Sequence, residues 1–339
     1  MPKRKSLAVT SLCLHGVPAR SMKDNTDRLA MLPELVRLLK KHPEWDLDAI
    51  VLPGGMFRLS RTLGATNFER RKAILLKEQI TNPIREALDQ LDMLSPGLTL
   101  TTGVLATPRD ISERTEQSCL AFRLGGLVGA ARKIFPTRQE SRGRRFVSPF
   151  VDDFSTRSRV IALSRGSMAL LNACYDVFGV ADLSGNTMNR RHAIRRLLTG
   201  RGTLSIGSAG FKAQRDDCLS AIRGVVSSTD LRALLVSIHG FEQPGRDGYW
   251  QRHGIARASA ARGGALVVAA AHFKKGLPAP DMSTLAAYGV PRSQIADGAS
   301  RRAHILKPAH SAILETPGGL RGLLRVFRVP LPARAGDRP

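Results

Sequence analysis

The 339 residues carry 52 Lys and Arg against 28 Asp and Glu, a formal net charge of +24, and 42% of them are hydrophobic. No apolar run approaches the roughly 20 residues that span a bilayer, and Pro2 to Lys5 is not followed by the apolar segment of a secretory signal; a cytoplasmic chain with no membrane association is expected. Cys13, Cys119, Cys174 and Cys218 stand far apart, without a CxxC or a Cys/His pair at metal-ligand spacing, which argues against a disulfide scaffold and a structural zinc; no cofactor or metal is expected.

The positive charge comes from 12 lysines and 40 arginines scattered along the whole length. That spread reads as a compositional bias, and aromatic content of 5% supplies few stacking platforms for single strands. Non-specific phosphate affinity at low salt follows, not a dedicated nucleic-acid groove. A basic nucleic-acid-binding protein is kept as an alternative function.

Leu7 to His15 has the length and apolar bias of a buried strand, and Asn25 or Thr26 is placed to cap a helix running through Lys41, with Leu29, Leu32, Leu35, Val36 and Leu39 at helical spacing. A second strand is expected over Leu47 to Leu52, closed by Pro53-Gly54-Gly55. Arg58 to Glu69 reads as a surface loop, Arg71 to Leu91 as a helix, and Leu98 to Leu105 as a strand. Ser118 to Leu124 and Leu127 to Ala131 form a hairpin about Gly125-Gly126. After an irregular Ser141 to Arg159, in which Asp152-Asp153 reads as solvated, Val160 to Leu163 and Ser167 to Ala173 are strands that deliver Cys174. Helices are expected over Asn186 to Leu198, Ala209 to Arg223 and Tyr249 to Arg262, and strands over Ala233 to Ile238, Ala265 to Ala271, His304 to Leu314 and Leu323 to Val329. The mixture of βα units and hairpins favours two mixed sheets with helices outside over a doubly wound parallel sheet, in one domain over residues 1–330 with a disordered tail over 331–339.

Cys174 ends an apolar run and is followed by Tyr175 and Asp176, awkward residues inside a strand. It is either a core residue or a nucleophile presented as the chain leaves the sheet. Acyl chemistry at a thiolate needs a nearby cation and a backbone N–H aimed at the developing oxyanion, a donor that the Tyr175 peptide can supply. Lys133, between apolar Leu127 to Ala131 and Ile134-Phe135-Pro136, reads as half-buried, and Glu140 follows seven residues on.

Arg132 to Glu140, RKIFPTRQE, and Ala173 to Phe178, ACYDVF, resemble the lysine and cysteine motifs of the nitrilase superfamily of carbon–nitrogen hydrolases, and Tyr249 to Phe273 is similar to a later helix and strand of that family. The resemblance runs from about Leu7 to Leu314. It implies a four-layer α-β-β-α sandwich of the α/β class, a homodimer or higher homo-oligomer, and hydrolysis of a small amide, nitrile or carbamoyl compound through a thioester. It also implies Cys174 as nucleophile and Lys133 as the cation of a glutamate, lysine and cysteine triad. The triad glutamate normally follows a proline at the end of the second strand, where this chain has Gly54 after Pro53. Three explanations stand side by side. Glu140, which resembles an auxiliary glutamate of the family, serves as base; His239 or Glu242, at the end of a strand, lines the pocket and substitutes; or the chain is a non-catalytic binding relative.

Overall fold

A computed structural model describes residues 6–63, 67–106, 116–124, 126–135, 151–181, 208–227, 229–291 and 305–331. Thirteen strands are present among them: β1 (Ser6–His15), β2 (Ala49–Val51), β3 (Phe57–Leu59), β4 (Thr99–Ala106), β5 (Glu116–Arg123), β6 (Gly126–Arg132), β7 (Val160–Ala162), β8 (Met168–Ala173), β9 (Leu231–Phe241), β10 (Leu266–Phe273), β11 (Ala286–Ala287), β12 (His310–Glu315) and β13 (Arg321–Pro330). Nine of them follow the order β6-β5-β4-β2-β1-β10-β9-β8-β7; β3 pairs with β4, β11 with β10 and β12 with β13, and β13 pairs antiparallel along almost the whole of β1. On its other edge β1 pairs parallel with β2 at Val9 to Ser11 and with β10 at Leu14 and His15. That split turns one ladder into two leaves, which fold face to face so that β5 and β6 stack over β8, and β4 and β2 over β9.

Side-chain alternation then separates three apolar layers. The innermost, between the leaves, holds small and branched residues such as Val9, Val51, Ala121, Ala169, Leu235 and Val268. One outer face packs Leu12, Ile50 and Leu100 against the helices Met31–Lys41 and Thr81–Asp92. The other packs Leu170, Val236 and Val267 against Asp176–Ala181, Ala209–Ser227 and the helical run from Gly248 to Ala261. The architecture is therefore an α-β-β-α sandwich of mixed sheets, as the sequence led us to expect.

The differences trace to particular contacts. The helix expected to continue from Asn25 to Lys41 is two, Asp24–Leu29 and Met31–Lys41, and Asn25 is buried within the first. Its amide is used as a brace: Nδ2 donates to the Arg58 carbonyl and Oδ1 accepts the Arg58 N–H, both at 2.8 Å. Arg58 belongs to β3, inside the stretch read as a loop, and Asn67 caps a helix over Phe68–Leu75 by accepting the Glu69 and Arg70 N–H groups. The helix expected to run unbroken from Arg71 to Leu91 is interrupted before Thr81, where buried Glu78 turns in to accept the Ser60 N–H and hydroxyl. Residues 251–256 are π-helical, and β11 was not anticipated. The helix expected over 186–198 and the tail after Leu331 lie outside the described residues. No helix among the described residues is long and apolar enough to cross a membrane.

Candidate active site

β8 runs parallel to β9, and its last pair is Ala173 with Ser237. One residue on, the Cys174 N–H still donates to the Ser237 carbonyl at 2.8 Å, but the backbone has swung to a left-handed φ of 52° and a helix begins at Asp176. A branched or bulky side chain resists that conformation, and even cysteine adopts it at a cost of about 1 kcal/mol. Cys174 thus sits at a strained elbow between strand and helix, 5% exposed. The Tyr175 ring stacks on Phe178 at 4.3 Å and meets the edge of Trp250 at 5.6 Å, giving the elbow an aromatic wall.

Lys133 is wholly buried, not half-buried. It continues the β5–β6 hairpin, with its N–H on the Gln117 carbonyl at 2.8 Å and its Nζ donating to Gln117 Oε1 at 2.9 Å. The segment carrying it is joined to the elbow through Asp176, whose Oδ1 accepts the N–H groups of Ile134 and Phe135 at 2.8 and 2.9 Å. Burial pushes the Asp176 carboxyl up to about 6, against the pull of Arg159 and of those two donors. Arg159, itself buried and with its pKa lowered by desolvation, approaches Asp176 Oδ2 at 4.0 Å and donates from Nη2 to the carbonyls of Arg132 (3.3 Å) and Asp153 (2.9 Å).

Behind this lies a buried charge network. Arg132 pairs with Glu116 at 2.8 Å and lies 3.8 Å from Asp153, which also faces Arg71 at 3.6 Å. Asp153 is therefore interior, in the helix Val151–Ser155, and the expectation of a solvated Asp152-Asp153 loop is corrected at Asp153. Burying three guanidinium groups beside three carboxylates is tolerable only because they face one another.

Gly54, the position without a carboxylate, is closed by backbone. Its N–H donates to the Ile238 carbonyl at 2.8 Å. A Cβ there would lie 2.8 Å from His239 N, Ile238 C and Ser237 O, and a Cβ on Gly103 would lie 2.4 Å from the Gly54 Cα. β9 carries an extra residue at this point: Ser237 pairs with Ala270 and Gly240 with His272, a bulge at Ile238–His239. Bulges re-aim side chains and recur beside active sites. His239 is half-buried on that bulge, and its carbonyl accepts from His272 Nδ1 at 2.9 Å, which leaves Nε2 of neutral His272 without a proton; burial drops the His272 pKa to about 3. Glu242 stands apart as a surface carboxylate, half exposed and bridged to Lys274 (3.3 Å) and Lys275 (3.4 Å). Glu140 lies outside the described residues.

The other three thiols are ordinary core residues. Burial raises the pKa of Cys13, takes Cys119 to about 12 and takes Cys218 to about 11. Among the described residues no group of three or more His, Cys, Asp and Glu is disposed to hold a metal ion. The residues that sequence reasoning passed over are Gln117, Arg159 and Asp176. Asp176 carried the only signal, as an acid directly after the end of a strand.

No family model matches the chain, and no curated protein does. Among solved structures it is similar to an amidase from Nesterenkonia sp., at 13% identity over 96% of this chain and 92% of that one, with a TM-score of 0.46. A variant of that amidase showing covalent addition of the acetamide moiety of fluoroacetamide at its active site cysteine matches at 14% identity over 96% and 92%, TM-score 0.47. A further variant, in complex with butyramide, matches at 11% over 96% and 91%, TM-score 0.42. These neighbours are amidases. One of the same set is described as belonging to the nitrilase superfamily, which the lysine and cysteine segments resemble. At this identity and superposition the likeness carries no weight for activity.

Proposed function

We propose that this chain is a nitrilase-type carbon–nitrogen hydrolase acting on a small amide. Cys174 attacks the carbonyl carbon, the oxyanion forms beside Lys133 and the Tyr175 N–H, the amine leaves with a proton, and water then cleaves the thioester. The observation that carries this reading is the backbone of Cys174. Alone among the four cysteines it occupies a left-handed elbow between strand and helix, a costly conformation of the kind that concentrates at functional sites. Glu140 is the base we assign to the reaction, with His239 on the β9 bulge as its substitute.

The test is alkylation with iodoacetamide at about pH 6, read by intact mass and peptide mapping, followed by ammonia release from small amides, butyramide among them. Preferential modification of Cys174 over Cys13, Cys119 and Cys218, together with ammonia release that Cys174→Ala abolishes, is the expected result. Equal labelling of all four thiols refutes a nucleophile. A second reading, a catalytically silent binding protein, is favoured by the closed backbone at Gly54; it predicts selective labelling of Cys174 without ammonia release from any amide.

A further inference from the structure

The main chain on either side of Lys133 is held by two side chains that belong to neither strand of its hairpin. Before it, the Arg132 carbonyl accepts from Arg159 Nη2. After it, the N–H groups of Ile134 and Phe135 both end on Asp176 Oδ1. Arg159 and Asp176 face each other at 4.0 Å, each about 1% exposed, so one buried ion pair closes around residues 132–135. Asp176 is two residues from Cys174, and through it the elbow and the lysine segment become one rigid unit.

From these contacts we infer that Asp176 is a positioning residue: its carboxylate fixes the Lys133 ammonium relative to the Cys174 thiol, and Arg159 holds that carboxylate in register. Neither group touches the reacting atoms. A polar residue buried this deeply costs stability unless it is satisfied, and the cheapest occupant of such a place would be apolar. What a carboxylate adds is directional: one oxygen can accept two successive N–H groups only if the backbone at 134 and 135 is turned toward the elbow. The charged groups acting on Asp176 are Arg159 and Lys133, and Asp176 in turn opposes ionisation of Cys119.

The inference rests on the reading of Cys174 as a nucleophile, and its test separates the two. The rate of Cys174 alkylation by iodoacetamide is followed against pH in the wild type, Asp176→Ala, Lys133→Met and the double variant, with folding checked by circular dichroism. The nucleophile reading puts the Lys133 ammonium beside the Cys174 thiol, and an opposite charge held within about 4–6 Å moves a pKa by about 1–3 units. Lys133→Met is therefore expected to move the half-reaction pH of Cys174 upward by at least about one unit. If Asp176 works by placing that ammonium, Asp176→Ala moves it in the same direction, by less than Lys133→Met because a carboxylate that opposes thiolate formation is lost as well, and the double variant moves it no further than Lys133→Met alone. Asp176→Asn keeps one oxygen acceptor and should fall between wild type and Ala. A folded Asp176→Ala with the wild-type profile, or shifts that add in the double variant, overturns the positioning role. If Asp176→Ala does not fold, Asp176→Asn decides: an upward shift supports the role and an unmoved profile overturns it. If Lys133→Met leaves Cys174 unchanged and wild-type Cys174 reacts no faster than the other thiols, the nucleophile reading fails first and the inference falls with it.

Discussion

Replacing Gly54 by alanine adds one methyl group at a junction that is closed by main chain. That carbon would stand 2.8 Å from three main-chain atoms of Ser237, Ile238 and His239, none of which is the movable end of a side chain. Overpacking of this sort costs about 1–3 kcal/mol. If the strands part to make room, the Gly54 N–H to Ile238 carbonyl bond is strained as well, worth about 0.5–1.5 kcal/mol. Together these give about 2–4 kcal/mol, and at about 2–3 °C per kcal/mol for a chain of this size the melting temperature should fall by about 5–10 °C. A matched control lies in the helix Ala209–Ser227, where a Cβ on Gly224 meets nothing within 4 Å. Gly224→Ala should raise the melting temperature slightly, because alanine is favoured over glycine in a helix by about 0.5–1 kcal/mol. Thermal melts of the two variants at neutral pH check the contrast. Gly54→Ala melting within about 1 °C of wild type would refute the closed junction.

At Cys174, glycine and alanine should rank in the reverse of their usual order. Both abolish thiol reactivity, but glycine relieves the left-handed φ of 52° and alanine does not, so Cys174→Gly should be the more stable by about 1 kcal/mol, a difference of a few degrees in a thermal melt; alanine melting higher would mean that the elbow is not strained. Asp176 predicts a pH dependence of stability. Its folded pKa, about 6, lies above the ordinary 3.8, so the protonated form is favoured in the folded state; its contribution is complete below about 3.8, declines as pH rises to about 6 and is flat above. Asp176→Asn is permanently neutral, so wild type should lose stability relative to it between pH 4 and 6, by up to about 3 kcal/mol at 1.36 kcal/mol per pKa unit; melting temperatures that stay parallel over that range would contradict the burial argument.

Much of the sandwich is legible in one sequence because strands in a two-leaf core are short apolar runs bounded by polar or turn-forming residues. β1, β4, β8, β9 and β10 all fall within two or three residues of where their apolar residues place them. What escapes is whatever depends on a partner distant in sequence. Ile80, Ile84 and Leu88 keep helical spacing, and Pro83 in the first turn of Thr81–Asp92 is a local signal for a helix start there, but the turn that precedes it is fixed by Glu78 reaching back to Ser60. Asn25 has the chemistry of a cap, and only the return of Arg58 makes it a brace. The site divides the same way. The flank of Cys174 marks the elbow, whereas Arg159, one of forty arginines, has nothing in its neighbourhood to distinguish it from a surface residue.

Gly54→Glu is the obvious way to supply the carboxylate that the proposed reading lacks, and the structure argues against its success. A glutamate needs its Cβ where the Ser237–His239 backbone already lies, and Gly103 presses from the other side, its own hypothetical Cβ 2.4 Å from the Gly54 Cα. The glycine and the bulge at Ile238–His239 are thus one feature: the extra residue in β9 brings its backbone onto position 54, and the absence of a side chain there admits it. Reintroducing a carboxylate therefore requires undoing the bulge, which would also move His239 and the Ser237 carbonyl that holds the Cys174 N–H. The variant should melt at least as low as Gly54→Ala and should release ammonia from amides no faster than wild type. A folded Gly54→Glu with raised ammonia release would show that the junction can open, and that the place of the base is vacant and not filled.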